Sequence, residues 1–142
     1  MEAHILLDCS NFSDNLVDVI EKFQQIGWKL SDAGGKSEFL PLGKNDFEWI
    51  TKDIAEYELF ETVRKKAECK ETVGVHLFYS NGVEGISFLA EKTNSITLGL
   101  SINRKIAINR HTDFPWYFEN LIAKLWNAGV EPWRCTMEEI DD

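Results

Sequence analysis

The feature that most constrains the fold is an alternation of apolar residues with small or polar ones between residues 73 and 102. Val73 and Val75 begin the pattern, and the same period of two returns after residue 95. That period places side chains alternately on the two faces of a β-strand. Asn81-Gly82 is the preferred dipeptide of a tight hairpin, and residues 92–94 supply a second turn. The segment therefore predicts three antiparallel strands in a β-meander.

The N-terminal segment predicts a strand followed by a helix. Residues 3–8 are an apolar run typical of a buried strand, and Ser13 stands at a position suited to a helix N-cap. Apolar residues then recur at steps of three and four, which is one face of an α-helix. They are Leu16, Val19, Ile20, Phe23 and Ile26. Gly27 is expected to end this helix, because glycine suits the left-handed C-terminal cap.

The next segment is more extended. Residues 28–30 are expected to open a return strand, and residues 31–36 form a turn rich in glycine. Residues 37–42 are then extended, and Pro41 favours a position at the edge of a sheet, because proline cannot donate to a strand ladder.

The segment from Asp46 to Glu68 contains neither glycine nor proline and predicts mostly helix. Its apolar residues have helical spacing: Phe47, Ile50, Ile54, Tyr57, Phe60, Val63 and Ala67. The alternative is a short strand over residues 47–50, with the helix beginning near Asp53.

The C-terminal third predicts a last helix and an acidic end. Thr112 or Asp113 caps the helix, and Gly129 ends it. Residues 105–109 either prolong the third meander strand or add a fourth. The predicted fold is α+β: an antiparallel sheet with a central β-meander and helices packed on it, in the order β-α-β-α-β-β-β-α. We expect one domain over residues 1–142, with an acidic C-terminal tail at about residues 134–142.

The net charge limits the partners of such a domain. The chain has 24 acidic and 15 basic residues, which gives a formal net charge of -9. A negative field of this size repels nucleic acid and anionic membranes, whereas it attracts basic proteins. No apolar run approaches the length needed to span a bilayer, and the N-terminus lacks the basic region of a signal peptide. We expect a cytoplasmic protein with a basic protein partner, and neither a nucleic acid nor a membrane partner.

Cysteine and histidine spacing predicts neither a metal site nor a cofactor. Cys9, Cys69 and Cys135 are far apart and form no Cys-x-x-Cys pair, so reduced packing thiols are expected. The three histidines have no helical ligand spacing. No local pattern therefore requires a bound group.

Catalytic motifs are missing from the sequence as well. Gly35-Lys36-Ser37 resembles the end of a phosphate-binding loop, but residue 30 is a leucine where that loop needs glycine. No Gly-x-Ser-x-Gly elbow occurs. We therefore expect no catalytic residues. The alternative is a small enzyme or ligand-binding domain with a pocket between sheet and helices. Its polar groups would be Asp8, His76, His111 and Asp113.

Acidic and aromatic residues are the best candidates for partner binding. The carboxylates lie in the middle helix and in the tail, where they would pair with basic side chains: Asp53, Glu56, Glu58, Glu61, Glu138 and Glu139. Trp49 and Trp116 would be aromatic anchors, and Trp133 is a third candidate. Each of the first two ends an Asp-Phe-x-Trp pattern at a predicted helix start. Anchoring of the helix to the sheet is the structural alternative for this pattern.

In its general character the chain resembles bacterial immunity proteins, which neutralise the toxic domains of polymorphic toxins. Those proteins are small, cytosolic, often acidic and without catalytic machinery. The resemblance implies a protein that occludes the active site of a cognate basic toxin, for example a nuclease. The resemblance includes no diagnostic motif, so no binding residue is carried over from it. An adaptor subunit of a larger complex is the remaining alternative.

Overall fold

The alternating segment forms the middle of a seven-stranded antiparallel sheet. The computed structural model describes residues 1–43, 47–80 and 82–141. The strands in chain order are β1 (Glu2–Asp8), β2 (Ser37–Phe39), β3 (Ile50–Lys52), β4 (Val73–Phe78), β5 (Gly85–Ala90), β6 (Ile96–Ile102) and β7 (Arg134–Ile140). Their order across the sheet is β3-β2-β4-β5-β6-β1-β7. The α+β fold and its central meander, β4-β5-β6, are confirmed. Asn81 of the predicted hairpin turn lies outside the described residues.

One face of the sheet carries the core. Ile5, Leu98, Phe88 and Val75 stand opposite one another across four neighbouring strands, and each is at most 1% exposed. Burying a side chain of this size contributes about 1.5–3 kcal/mol. The apolar faces of the helices join the same cluster. Side chains of the opposite face, such as that of Leu6, are only half-buried.

The first helix, α1 (Leu16–Gln25), begins later than Ser13 predicts. Its N-cap is Asn15, whose side chain accepts a hydrogen bond from the amide of Val17 at 2.9 Å. Ser13 instead donates its hydroxyl proton to the carboxylate of Asp18 at 2.7 Å. The predicted end is confirmed, since Gly27 has φ +105°, in the left-handed region that favours glycine.

The second helix, α2 (Glu56–Glu68), is shorter than the main prediction. A helix from residue 46 is wrong, because residues 50–52 pair with β2 and form β3, with Ile50 opposite Phe39. Pairing with a neighbouring strand has therefore outweighed the helical spacing of the sequence. The alternative of a strand before a helix that begins near Asp53 is closer to the structure. Asp46 lies outside the described residues.

A buried lysine fixes the turn before β3 to α2. Lys66 is 1% exposed, and its ammonium donates to the carbonyl of Pro41 at 3.0 Å. The same ammonium lies 3.7 Å from Oε1 of Glu71, which also accepts the amide of Gly43 at 2.8 Å. Burial lowers the pKa of Lys66, and the Glu71 carboxylate opposes this shift. The charge is tolerated because it is paired and hydrogen-bonded.

The last helix, α3, is continuous and has an irregular centre. It consists of an α-helical turn (Phe114–Tyr117), a π-helical segment (Phe118–Ile122) and an α-helical end (Ala123–Asn127). Asp113 caps it, as predicted, by accepting the amide of Trp116 at 3.1 Å. The fully buried Trp28 donates its indole N–H to the carbonyl of Asn120 at 2.9 Å. The π-helical segment is thereby joined to the core.

The predicted acidic tail is a strand over most of its length. Residues 134–140 form β7, which pairs with β1 from Arg134 opposite Asp8 to Ile140 opposite Glu2. Strand formation gives the outer edge of β1 its backbone partners, whereas a free tail would leave that edge unpaired. Met137 also packs against the core from this strand.

Two further segments that were predicted to be strands, residues 28–30 and 105–109, each form a single bridge. The return strand over residues 28–30 is reduced to one bridge, between Lys29 and Phe78. Residues 105–109 do not extend the meander. They make one bridge, between Ile106 and Thr112, and enter a 3₁₀ turn over Ile108–Arg110.

We expect Gly74→Ala to destabilise the protein. A Cβ added at Gly74 would stand 2.6 Å from Cδ1 of Leu40 and 3.0 Å from Cη2 of Trp49. Overpacking of this kind costs about 1–3 kcal/mol of unfolding free energy, which urea denaturation measures. Gly99→Ala is the matched control, since its nearest contact, with Cβ of Ser87, is an ordinary 3.6 Å. Equal stabilities of the two variants would contradict the close packing at Gly74.

Candidate functional site

A groove between α1 and α2 brings acidic and aromatic side chains together. It has a volume of about 590 Å³ and is lined by Glu21, Gln24, Glu56, Tyr57 and Phe60. The first two residues lie on α1, and the other three lie in the first turns of α2. Because the two helices pack side by side, the first turns of α2 face the outer surface of α1.

The aromatic part of the groove is unevenly exposed. Tyr57 is 75% exposed, whereas Phe60 is partly buried and packs against the core. Across the groove, the amide of Gln24 donates to Oε1 of Glu56 at 3.0 Å. A side-chain hydrogen bond therefore links the two helices across the groove, and one aromatic ring stands out into solvent beside it.

The carboxylates that line the groove, and those next to them at the start of α2, carry uncompensated charge. Glu21, Asp53, Glu56 and Glu58 are all exposed. Within the described part of the chain, none of them forms an ion pair. Such a group of like charges produces a negative potential that attracts cationic side chains and speeds encounter with a basic protein.

The helix macrodipole explains only part of this arrangement. Glu56 and Glu58 occupy the first turn of α2, and Lys65 and Lys66 occupy its last turn. Acidic residues stabilise the N-terminal end of a helix, so the gradient of charge along α2 has a structural cause. An exposed tyrosine among the carboxylates has no such cause. Tyr57 is therefore the feature that distinguishes this surface from an ordinary helix start.

Glu61 does not belong to this surface electrostatically. It binds Arg64 through two side-chain hydrogen bonds, and its carboxylate lies 3.9 Å from the ammonium of Lys65. Hydrogen bonding to Arg64 lowers the pKa of the Glu61 carboxyl. Arg64 also pairs with Glu68 at 2.6 Å. These contacts neutralise the second half of α2.

The structure does not present Trp49 or Trp116 as an exposed anchor. Trp49 is half-buried, and its ring lies 4.2 Å from the ring of His76. Trp116 is half-buried in an aromatic cluster, with its ring 6.1 Å from Trp28 and 5.0 Å from Tyr117. Both are packing residues. Trp133, by contrast, is 73% exposed.

Glu138 and Glu139 lie on β7, at one edge of the sheet, and both have partners within the chain. The Glu138 carboxylate lies 3.9 Å from His4. Glu139 accepts the amide of Thr112 at 2.6 Å and lies 2.7 Å from Nδ1 of His111. These hydrogen bonds lower the pKa of Glu139 to about 2, and the bond from the Thr112 amide contributes most to this shift. Glu139 thus joins β7 to the segment before α3.

Tyr57 does not lie on the buried face of α2, although the helical spacing of the sequence predicts it there. The buried face of α2 is formed by Leu59, Val63 and Lys66. Because the helix begins at residue 56, the apolar residues before it belong to another element, and the helical face is set by the later ones. The step of four between Leu59 and Val63 was a signal for the true face.

The four polar groups of the alternative pocket do not converge. Asp8 ends β1 and binds both the amide and the hydroxyl of Ser10, which lowers its pKa. His111 pairs with Glu139, whose strand neighbour Ala3 lies at the other end of β1. Asp113 caps α3. His76 lies on β4, where burial lowers its pKa and Glu38, 3.0 Å away, opposes the shift.

A second cavity, of about 640 Å³, lies where α1 begins, beside α2 and the turn between β5 and β6. Its charged lining is mixed, with Arg64 and Lys92 beside Asp14, Glu68 and Glu91. No single ligand charge is favoured by such a lining.

The described residues contain free cysteines but no group of side chains arranged to bind a metal ion. Cys9, Cys69 and Cys135 are all free thiols. Burial raises the pKa of Cys9 to about 12, so this thiol is protonated at neutral pH and is a poor nucleophile. Within the described ranges, no cluster of three or more histidine, cysteine or acidic side chains has the arrangement of a metal site.

None of the helices in the described ranges combines the length and apolar character that crossing a membrane requires. Comparison of the chain with protein-family models, curated proteins and solved structures finds no match.

We expect Glu139→Gln to flatten the acid dependence of stability. The folded-state pKa of about 2 lies below the ordinary value of 4.5. Glu139 therefore stabilises the fold above pH 4.5, and this contribution is lost as the pH falls toward 2. The variant should be less stable at neutral pH and lose less stability over that interval. Urea midpoints measured along a pH series test this, and parallel curves for the two proteins would contradict it.

Proposed function

We propose that this chain is a non-catalytic binding protein that neutralises a basic toxin, in the manner of an immunity protein. The observation that carries the proposal is the groove between α1 and α2, where the exposed carboxylates of Glu21 and Glu56 line the same groove as the exposed side chain of Tyr57. Charge complementarity selects a basic partner, and an aromatic side chain is the usual kind of central anchor in a protein interface. The free thiols support a reducing, cytoplasmic location.

The proposed mechanism separates the roles of charge and contact. Glu21, Asp53, Glu56 and Glu58 attract the cationic surface of the toxin and accelerate association. Tyr57 then enters the interface, where its ring excludes water and slows dissociation. Occupation of the cationic active site by this surface blocks access of the toxin's substrate.

Reversal of charge at the start of α2 should slow association. For Glu56→Lys/Glu58→Lys we expect an association rate with the basic partner about tenfold lower at low salt, measured by stopped flow. The difference should shrink as salt screens the charges.

A matched control separates local from global charge in this experiment. Glu2→Lys/Glu119→Lys changes the net charge by the same amount, at exposed positions on β1 and α3. It should retain most of the wild-type rate. Equal slowing by both double variants would show that net charge alone steers the partner and would remove α2 from the interface.

Removal of the aromatic ring should act on dissociation instead. For Tyr57→Ala we expect a dissociation constant about 30-fold higher, which is the change of about 2 kcal/mol typical of a central anchor. The association rate should change little. Because Tyr57 is 75% exposed, the fold should be unaffected, and circular dichroism checks this. An unchanged dissociation rate would exclude Tyr57 as the anchor.

The function itself is tested by protection of growing cells. Proteins that co-purify with the tagged chain at low salt are identified by mass spectrometry, and each basic candidate is then expressed alone in the host. The proposal expects one candidate to arrest growth and co-expression of this chain to restore it. The variant Glu56→Lys/Glu58→Lys/Tyr57→Ala should fail to restore growth, whereas Glu2→Lys/Glu119→Lys should succeed. A basic partner that is harmless to cells would favour an adaptor subunit and overturn the proposal.

A further inference from the structure

β7 is the edge strand at one end of the sheet order. Its seven residues pair with β1 on one side, and no strand among the described residues pairs with its other side. Arg134, Cys135 and Thr136 are exposed. Along such an edge, backbone N–H and C=O groups point outward and form a template for another strand.

The two edges of the sheet differ in how they resist such pairing. β3, at the opposite edge, has only three residues and carries Lys52 at its end. Short strands and edge lysines are common means of preventing association. β7 contains neither lysine nor proline. The carboxylate of Glu139 is held by Thr112 and His111, so it does not serve as a guard for the edge.

The sequence of β7 is complementary to itself in one antiparallel register. When two copies pair about a two-fold axis at Thr136, Arg134 of each stands directly opposite Glu138 of the other. The same register places Cys135 opposite Met137, and threonine opposite threonine at the axis. A register centred on Met137 would instead place Arg134 opposite Ile140 and Cys135 opposite Glu139. Opposite charges and paired threonines are favourable cross-strand neighbours.

We propose that β7 is a homodimer interface, in which two copies pair these edge strands antiparallel about Thr136. The dimer joins the two sheets into one continuous sheet and satisfies the outward backbone groups of both edges. Trp133 is 73% exposed and directly precedes β7, so it falls within the paired length, opposite residue 139 of the second copy. This interface is separate from the groove between α1 and α2, and it does not depend on the function proposed above.

Sedimentation equilibrium of the full chain over a dilution series tests the proposal. We expect a species of twice the 16.3 kDa chain mass that dissociates on dilution. Arg134→Glu creates two like-charge contacts across the axis and should raise the dimer dissociation constant about tenfold. Lys52→Glu changes the net charge equally at the opposite edge, and it should leave the constant close to wild type.

Charge exchange between two variants gives the decisive measurement. Arg134→Glu and Glu138→Arg should each dimerise poorly alone, since like charges then face each other across the axis. An equimolar mixture should form a heterodimer, because both cross-strand pairs are again of opposite sign. The double variant Arg134→Glu/Glu138→Arg should likewise recover the homodimer. These two rescues distinguish a lost contact from a damaged fold.

Three outcomes would overturn the proposal. A monomeric mass throughout the series would show that this edge does not self-associate, as would be the case for an edge kept for another protein's strand. Equal dissociation constants for wild type and Arg134→Glu would place the dimer interface elsewhere. Failure of both rescues would exclude the register centred on Thr136, because that register requires Arg134 to face Glu138. None of these outcomes affects the proposed binding of a basic toxin by the helical groove.

Discussion

The one-sided burial of the antiparallel sheet determines where everything else in the molecule lies. Alternation of period two sends Ile5, Phe88 and Leu98 to a single face, and the helices cover that face and remove these side chains from water. Three helices must therefore share one layer, and α1 comes to lie beside α2. The groove lies at the surface where α1 and α2 meet. A core requirement thus places the most acidic helix start next to a second helix that also carries uncompensated charge.

The glutamates of α2 have two different environments, exposed and without ion pairs among the described residues in its first half, and paired with basic residues in its second half. Arg64 neutralises Glu61 and Glu68 along the C-terminal half of the helix, and Lys66 is withdrawn into the core. The N-terminal half receives no such compensation from the described residues. The acidic side chains of the first half of α2 are therefore exposed. The basic side chains of the second half are paired with carboxylates of the same chain or buried. Of the two halves of α2, only the first presents unneutralised carboxylates at the surface, as far as the described residues show.

The sequence was sufficient for elements whose local signal and tertiary role agree. The meander, α1 and the Asp113 cap were predictable because periodicity, turn residues and capping all indicated the same structure. It was insufficient where pairing partners distant in the chain decide the outcome. β3 exists because β2 offers an edge, and β7 exists because β1 does, although both segments are rich in charge. The same cause limited the site prediction. Helical spacing extended back across β3 assigned Tyr57 to the core, and acidity alone cannot distinguish Glu58, which is unpaired among described residues, from Glu139, which is engaged.

The position of β1 between β6 and β7 also sets when the molecule can finish folding. Of the seven strands, β1 is synthesised before the others, and its outer neighbour β7 is synthesised after them. While the chain is being made, β1 can acquire its inner partner only after β6 has emerged, and its outer partner only after residue 140 has been added. Contacts that join the two ends of a chain carry a large loop-closure entropy and slow the search for the native state. Completion of the sheet therefore waits for the synthesis of β7, and until then the outer edge of β1 lacks the partner that it has in the folded protein.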